Sequence, residues 1–296
     1  MKYKCLMLFS GGLDSILALK ILEEEGIKVT PICFESFFFS CEQAKKSAKQ
    51  IGIKLRIEDI SDTHLKIIKN PKHGRGKGFN PCIDCHLLMI KTAGKIMKKE
   101  NFDFIATGEV LGQRPMSQNS NALKVIDKKA GFNKLIVRPL SAKLLPPTIL
   151  GSGKYSVSGK SREMQLKLAK KFKIKNYPSP AGGCILTDIN YSNSLGKLME
   201  INNRFSGNDV LLLRSGRVFW EKDLLIVVAR NEKESNDLPK LKKRGDVILV
   251  PEDFPGPTVF VRRYKKSSRE EMIDCGVKYI EKYSKNITPS PVLKFL

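Results

Sequence analysis

The first part of the chain alternates short apolar runs with stretches of helical periodicity. The apolar runs are near-continuous, as expected for strands that are buried on both faces of a sheet. They cover residues 4–9, 28–34, 53–57 and 104–107. The stretches with helical spacing cover residues 13–25, 42–51, 62–68 and 84–99. Such alternation predicts a parallel sheet with helices packed on its faces.

The pattern changes near Tyr191, where short strand-like runs joined by turn residues replace the alternation. Strands are predicted at residues 210–213, 217–220, 224–229, 247–250 and 258–262. Helices are predicted at residues 232–238 and 268–283. The sequence therefore predicts an α/β domain over residues 1–190 and a smaller α+β domain over residues 191–296.

Composition and charge narrow the class of protein. The 296 residues include 53 Lys+Arg and 30 Asp+Glu, for a net charge of +23, with 41% hydrophobic residues. Such a surplus favours a polyanionic partner, nucleic acid first, although a lysine-rich genome or a hot habitat would also produce it. No apolar run approaches the roughly 20 residues that span a bilayer, and the start is a poor signal peptide. We expect a soluble, cytoplasmic protein without a membrane partner.

Six of the seven cysteines fall into two groups with different expectations. The number is odd and no export signal is visible, so we expect no structural disulfides. Cys5, Cys33 and Cys275 lie in apolar patterns typical of small core residues. The other group consists of Cys82, Cys85 and Cys184. Core packing explains these three less well, because they lie in loops rich in proline and glycine.

A glycine-rich loop, Ser10-Gly11-Gly12-Leu13-Asp14-Ser15, falls between the first predicted strand and the first predicted helix. Open parallel sheets bind ligands at this edge. The glycines allow backbone N–H groups to approach a phosphate, the Ser10 and Ser15 hydroxyls can donate, and the helix N-terminus adds its dipole. Asp14 suits either a Mg²⁺ ion or a helix cap. The alternative is a capped turn that binds no ligand.

The C-x-x-C sequence Cys82-Ile83-Asp84-Cys85 lies at the start of a predicted helix, and Cys184 follows about a hundred residues later. Thiolates at a helix N-terminus have a lowered pKa and ligate metals well. The residues leave three interpretations: a redox pair, half of a zinc site, or three ligands of an iron–sulfur cluster with one open iron.

The motif S-G-G-L-D-S after an N-terminal strand resembles the PP-loop ATP pyrophosphatase superfamily. The resemblance implies a Rossmann-like fold of the adenine nucleotide α-hydrolase type. It also implies that ATP is split between its α and β phosphates and that a substrate oxygen is adenylated. The adenine would lie at the end of the second strand, around Cys33, Phe34 and Glu35.

Within this superfamily, the C-x-x-C sequence and a later single cysteine are similar to tRNA sulfurtransferases. Thr107-Gly108-Glu109-Val110-Leu111-Gly112-Gln113, then Ser117-Gln118 and Arg138-Pro139-Leu140, resemble 4-thiouridine synthetases. In one branch of the family the cysteines bind a [4Fe–4S] cluster, which we favour here through Cys82, Cys85 and Cys184. In the other branch Cys184 would carry a persulfide. Gly108 would allow close approach to the nucleotide, and Gln113 would hydrogen-bond substrate or phosphate, unless it is a surface loop residue.

Three further features concern RNA. Residues 227–236 and 255–262 resemble an RNA-binding module shared with ribosome-quality-control factors. Because the loop begins at Ser10, we expect neither the THUMP and ferredoxin-like regions of 4-thiouridine synthetases nor a rhodanese region. Four basic residues precede the first cysteine of the pair and would hold tRNA phosphates through charge, or form a solvated loop. They are Lys72, His73, Arg75 and Lys77.

Together these features predict ATP-dependent thiolation of a tRNA uridine, with ATP, Mg²⁺ and a [4Fe–4S] cluster as cofactors. The predicted catalytic residues are Asp14, Cys82, Cys85 and Cys184. The expected partners are tRNA, a sulfur donor (sulfide or a persulfide carrier) and, as an option, a second copy of the chain. The alternatives are a persulfide enzyme without a cluster, a PP-loop ligase acting on a small molecule, and a non-catalytic RNA-binding protein. The choice between 4-thiouridine and 2-thiouridine stays open.

Overall fold

Each of the two structural units carries its own sheet. The computed structural model describes residues 3–179, 184–285 and 292–296, and within these parts the chain divides into Met1–Cys184 and Ile185–Leu296. The predicted Rossmann-like sheet and the smaller α+β domain are both confirmed. The functional domain limits of 1–190 and 191–296 stay a prediction.

The sheet of the first unit is parallel and has the strand order β3-β2-β1-β4-β5. Its strands are β1 Lys4–Leu8, β2 Lys28–Glu35, β3 Arg56–Asp59, β4 Phe104–Thr107 and β5 Ile136–Val137. The strand order reverses between β1 and β4, and open α/β sheets bind ligands outside the carboxyl ends of strands at such a switch point. The loops after β1 and β4, which carry residues 10–15 and 108–113, leave the sheet at this edge.

Helices cover both faces of this sheet. They are α1 Leu13–Glu24, α2 Glu42–Gln50, α3 Ser61–Lys69, α4 Cys82–Lys99, α5 Ser120–Ala130 and α6 Glu163–Lys171. Successive side chains of a strand point to opposite faces, so Cys5 and Met7 of β1 pack with apolar residues of α1 and α2, whereas Leu6 packs with those of α4 and α5. Helix α4 begins two residues earlier than predicted, which places both cysteines of the C-x-x-C sequence in its first turn.

The second unit contains an antiparallel sheet with the order β10-β8-β9-β7-β6. Its strands are β6 Arg217–Glu221, β7 Leu224–Val228, β8 Val247–Pro251, β9 Val259–Arg263 and β10 Leu293–Phe295. Its helices are α7 Ile189–Ile201, α8 Gly207–Leu212, α9 Glu232–Asp237 and α10 Arg269–Tyr283. In the described parts of the chain, no helix is both long enough and apolar enough to cross a membrane.

The strand predicted at residues 210–213 is wrong, because most of this run lies in α8. Ser206 and Asp209 form a capping box that starts the helix: each side chain bonds the other residue's backbone N–H. The Asp209 carboxylate is buried and also accepts a 2.8 Å hydrogen bond from Arg262 Nη1. The capping and ion-pair interactions therefore outweigh the preference of this apolar run for a strand.

The expectation that the chain has no structural disulfide is also wrong, because Cys33 is bonded to Cys41. Cys33 lies near the end of β2, and Cys41 is the residue that precedes α2. A short turn, in which Ser36 and Phe39 pair, brings the chain back between them. Cys5 is fully buried as predicted, and burial raises the pKa of its thiol to about 12.

Candidate nucleotide and thiol site

The glycine-rich loop between β1 and α1 is fixed by its neighbour α2. Gly11 has a φ of +77°, and a Cβ at this position would lie 2.6 Å from the backbone oxygen of Gln43. Only glycine fits both the conformation and the space. The Gly11 carbonyl oxygen accepts a 2.7 Å hydrogen bond from the fully buried hydroxyl of Ser47. The contact of Ser47 with the loop was not predicted from the sequence, because nothing marks Ser47 except its position on a predicted helix.

The next residues of the loop leave space beside polar groups. A Cβ added to Gly12 would meet only the Ser10 hydroxyl oxygen, at 3.5 Å. The Gly12 N–H donates to that same oxygen at 3.4 Å, while Ser15 donates its hydroxyl to the Gly12 carbonyl at 2.8 Å. These polar groups bond one another within the loop and border an open space beside Gly12 at the N-terminus of α1, which suits a phosphate group.

Asp14 carries a carboxylate oxygen that lacks a partner among the described residues. Its Oδ2 accepts a 2.9 Å hydrogen bond from the side-chain amide of Gln113, so the two predicted residues meet. Its Oδ1 is buried and has no hydrogen-bond partner among the described residues. An orphaned buried carboxylate oxygen is costly, and Mg²⁺ prefers carboxylate ligands. Asp14 therefore fits a magnesium ion that accompanies the phosphates of ATP.

Gly108 meets the loop itself in this structure. A Cβ at Gly108 would lie 2.7 Å from the backbone N and Cα of Ser15, so a glycine lets the end of β4 pack directly on the loop. Phe34, predicted to line the adenine site, is 5% exposed and packs in the core with residues such as Ile32. Its contact with adenine stays a prediction.

The cysteines of the C-x-x-C sequence approach the later single cysteine. Cys82, Cys85 and Cys184 are all thiols outside the disulfide. The pKa of Cys85 is raised, first by burial and then by the charges of Cys184 and Cys82. The Cys85 thiol therefore lies within electrostatic reach of both other cysteines in the first unit.

Three thiols are a donor set that fits an iron–sulfur cluster. Across the described residues, no three His, Cys, Asp or Glu side chains lie close enough together to hold a single metal ion. This finding argues against a preformed zinc site. It does not contradict a cubane cluster, because each thiolate of a [4Fe–4S] cluster binds a different iron and the ligands stand further apart.

A buried ionic network links the thiol helix to the end of β4. The Glu109 carboxylate accepts hydrogen bonds from His86 Nδ1 at 2.6 Å, Arg138 Nε at 2.8 Å and the Thr107 hydroxyl at 3.1 Å. Burial alone would raise the pKa of Glu109, but Arg138 and His86 bring it down to about 2. Arg138 is 3% exposed and also binds Asp127 at 2.7 Å, so it holds the structure together rather than lying at the surface.

The basic run before Cys82 divides into anchored and exposed side chains. The Asp84 carboxylate accepts the backbone N–H of His73 at 2.8 Å and lies 2.7 Å from its Nδ1. Arg75 donates to backbone carbonyls at the end of α3. Lys72 and Lys77 are exposed and form no ion pair within the described residues. The structure therefore leaves two of the four predicted cations available to a phosphate backbone.

A parallel sheet with a glycine-rich loop at its switch point, and thiols in the same unit, are features of the PP-loop class of nucleotide-binding proteins. Comparison with known proteins agrees. The family model "Thiamine biosynthesis protein (ThiI)" matches residues 1–143. The chain is a relative of the PP-loop tRNA sulfurtransferases, so the resemblance found in its motifs is confirmed. The likeness of the second unit to an RNA-binding module stays a prediction.

Two relatives and one solved structure illustrate the extent of the likeness. The tRNA-specific 2-thiouridylase MnmA of Caldicellulosiruptor saccharolyticus is 24% identical over 280 residues, which cover 86% of this chain and 74% of that protein. A probable tRNA sulfurtransferase of Thermoanaerobacter sp. (strain X514) is 33% identical over 148 residues, 46% of this chain but 36% of that protein. The crystal structure of a 4-thiouridine synthetase–RNA complex with bound ATP is 20% identical, with a TM-score of 0.38, over 58% of this chain and 52% of that chain.

Proposed function

We propose that this protein uses ATP to thiolate a uridine of tRNA. One juxtaposition carries the proposal: two consecutive residues after β4 reach the phosphate loop and the thiol helix. Gly108 packs on the backbone of Ser15, and Glu109 binds His86, the residue that follows Cys85. A site for activating an oxygen and a site for delivering sulfur are thus built on one short segment. The tRNA-modifying relatives support tRNA as the substrate.

The phosphate loop would perform the first step. The Gly12 N–H and the hydroxyls of Ser10 and Ser15 hold the phosphates of ATP, with Asp14 at the magnesium ion. A uridine stacked in an RNA helix is out of reach, so the base is flipped into the site. Its carbonyl oxygen attacks the α-phosphorus and pyrophosphate leaves. The adenylated oxygen can then depart with AMP, which is a far better leaving group than the oxygen of a free carbonyl.

The thiols would perform the second step, in which a carbon–sulfur bond forms and the bond to the AMP oxygen breaks. Cys82, Cys85 and Cys184 would hold a [4Fe–4S] cluster, which would supply the sulfide for this bond. In the persulfide alternative, the terminal sulfur of a Cys184 persulfide attacks the uridine carbon. A second cysteine thiol then attacks the sulfur of Cys184, which releases thiouridine and leaves a disulfide.

The basic surface would bind the RNA. The net charge of +23 suits a polyphosphate partner, and the exposed Lys72 and Lys77 lie on the segment that leads into the thiol helix. The sequence block at residues 107–113 favours 4-thiouridine at position 8, whereas the likeness to a tRNA-specific 2-thiouridylase favours 2-thiouridine. The proposal covers both products. It also includes a cytoplasmic location and, as an optional partner, a second copy of the chain.

Mass spectrometry of tRNA nucleosides from a strain that lacks the gene tests the function. One thionucleoside should disappear and return when the wild-type gene is restored. Asp14→Asn and Cys82→Ala should fail to restore it. Cys275→Ala is the matched control, because Cys275 is a partly buried thiol of the second unit outside the proposed site, and it should restore the product. An unchanged set of thionucleosides in the deletion strain would refute tRNA thiolation.

Anaerobic purification with iron and sulfide analysis separates the two sulfur chemistries. The cluster predicts a brown protein whose iron is lost in Cys82→Ala, Cys85→Ala and Cys184→Ala and kept in Cys275→Ala. A colourless protein that stays free of iron after anaerobic reconstitution would exclude the cluster. Finding a persulfide on the tryptic peptide that contains Cys184 would then support the alternative branch.

A further inference from the structure

The side chain of Asn80 contacts the sulfur of Cys82 from the segment just before α4. We propose that Asn80 is a positioning residue whose amide fixes the Cys82 sulfur and raises the reduction potential of the cluster bound there. The inference rests on the proposed function, because it assigns a role toward the cluster that the three thiols are proposed to hold.

The orientation of the amide follows from its backbone neighbour. Gly78 donates its backbone N–H to Asn80 Oδ1 at 3.2 Å. A backbone N–H can only donate, so the oxygen faces Gly78 and the NH₂ group must face the other way. On that side Nδ2 lies 3.3 Å from Cys82 Sγ and 3.5 Å from Met116 Sδ. The two N–H bonds of the amide therefore meet two sulfur acceptors.

Close packing holds the amide in this position. Asn80 is 7% exposed, and its backbone oxygen accepts a 3.0 Å hydrogen bond from the N–H of Gly76. A Cβ on Gly76 would lie 2.5 Å from Asn80 Nδ2 and 2.4 Å from Met116 Sδ, so the space around the amide is filled. A side chain that is bonded at both ends and enclosed cannot turn its donors away from Cys82.

An N–H···S hydrogen bond changes what a cluster ligand does. Hydrogen bonds to the sulfurs are among the properties that set the reduction potential of an iron–sulfur cluster. A donor stabilises the reduced cluster more than the oxidised one, because reduction adds negative charge to the sulfurs. Removing the Asn80 donor should therefore lower the potential, whereas a residue that only shapes the loop would leave it unchanged.

Two substitutions in the full-length protein separate the hydrogen bond from the loop geometry. Asn80→Asp keeps the size and the acceptor for the Gly78 N–H but loses the donor and adds a negative charge. Asn80→Ala loses the donor without adding charge. After anaerobic reconstitution, a redox titration followed by absorbance should give a lower potential for both variants than for the wild type, with Asn80→Asp the lower of the two.

Asn119→Asp is the matched control. Asn119 Oδ1 also accepts a backbone N–H, from Ala122 at 2.8 Å, and its Nδ2 donates to the Pro115 carbonyl at 2.7 Å instead of to sulfur. Its potential should equal that of the wild type. If Asn80→Ala binds the full amount of iron and keeps the wild-type potential, the role of Asn80 is refuted while the cluster proposal stands. A wild-type protein that binds no iron would overturn the cluster proposal and, with it, the role assigned to Asn80.

Discussion

Reduction of the Cys33–Cys41 disulfide should destabilise the first unit and weaken nucleotide binding. The bond joins β2 to the start of α2 across a separation of eight residues, and both cysteines are buried. Helix α2 is also the element that fixes the phosphate loop, through the Ser47 hydroxyl on the Gly11 carbonyl. Breaking the bond therefore loosens the support of the loop as well as the turn.

The magnitude follows from the size of the closed loop. In the chain-entropy model, a cross-link over about eight residues restricts the unfolded chain by about 2.5 kcal/mol at 25 °C. For a unit of this size, each kcal/mol lowers Tm by about 2–4 °C. Reduction should therefore lower the Tm of the first unit by about 5–10 °C.

Calorimetry of the full chain with and without a phosphine reductant measures the shift, and peptide mapping of alkylated cysteines reports which thiols were accessible. Because the reductant reaches other sulfur groups, the double variant Cys33→Ala/Cys41→Ala is needed. It should melt at the lower temperature without reductant and show no further response. Cys275→Ala should respond to the reductant as the wild type does.

Three results would refute this reasoning. Alkylation of Cys33 and Cys41 in denatured, non-reduced protein would show that no bond forms. An unchanged Tm after verified reduction would show that the turn is held by packing alone. A lower Tm with unchanged Mg-ATP affinity would show that α2 supports the phosphate loop independently of the disulfide.

The other predictions concern the loop, acid stability and RNA binding. Gly108→Ala would place a Cβ 2.7 Å from backbone atoms of Ser15, and an overpacking cost of about 1–3 kcal/mol should weaken Mg-ATP binding about tenfold or more in calorimetry. Burial lowers the pKa of His64 from 6.5 to about 4. As the pH falls, the unfolded chain therefore binds a proton at His64 before the folded chain does. Unfolding titrations should show about 3 kcal/mol lost as pH falls from 6.5 to 4, but not in His64→Gln. Lys77→Glu should weaken tRNA binding and its salt dependence in anisotropy assays, whereas Lys28→Glu, exposed at the amino end of β2, should not.

The features predicted correctly from the sequence are those with a local signal. The apolar runs at β1, β2 and β4 are buried on both faces and read as strands without knowledge of their partners. The loop at residues 10–15 was found because a tight strand-to-helix turn needs glycine at a fixed place, and Gly11 confirms this need with its positive φ. The parallel arrangement of the sheet then followed from the alternation of elements.

The features that were missed depend on contacts between distant residues. Nothing near Cys33 indicates that Cys41 returns to it, and an apolar run such as 210–213 suits a strand or a helix equally well. For that run a local signal did exist, because Ser206 and Asp209 have the spacing of a capping box. The pairing of Glu109 with Arg138, across 29 positions, has no such signal.

The Glu109–Arg138 pair also changes how the sequence motifs are to be understood. Both residues belong to stretches that resemble sulfurtransferases. The Arg138 guanidinium is buried between two carboxylates, of Glu109 and Asp127. Removing one partner of a buried pair typically costs about 3–5 kcal/mol, because the other charge is left unpaired. Since Glu109 also holds His86 at the start of the thiol helix, the pair serves to keep that helix beside the segment that touches the phosphate loop. In the proposed function the chemistry is then left to Asp14 and the thiols, and Glu109 and Arg138 would set the distance between them.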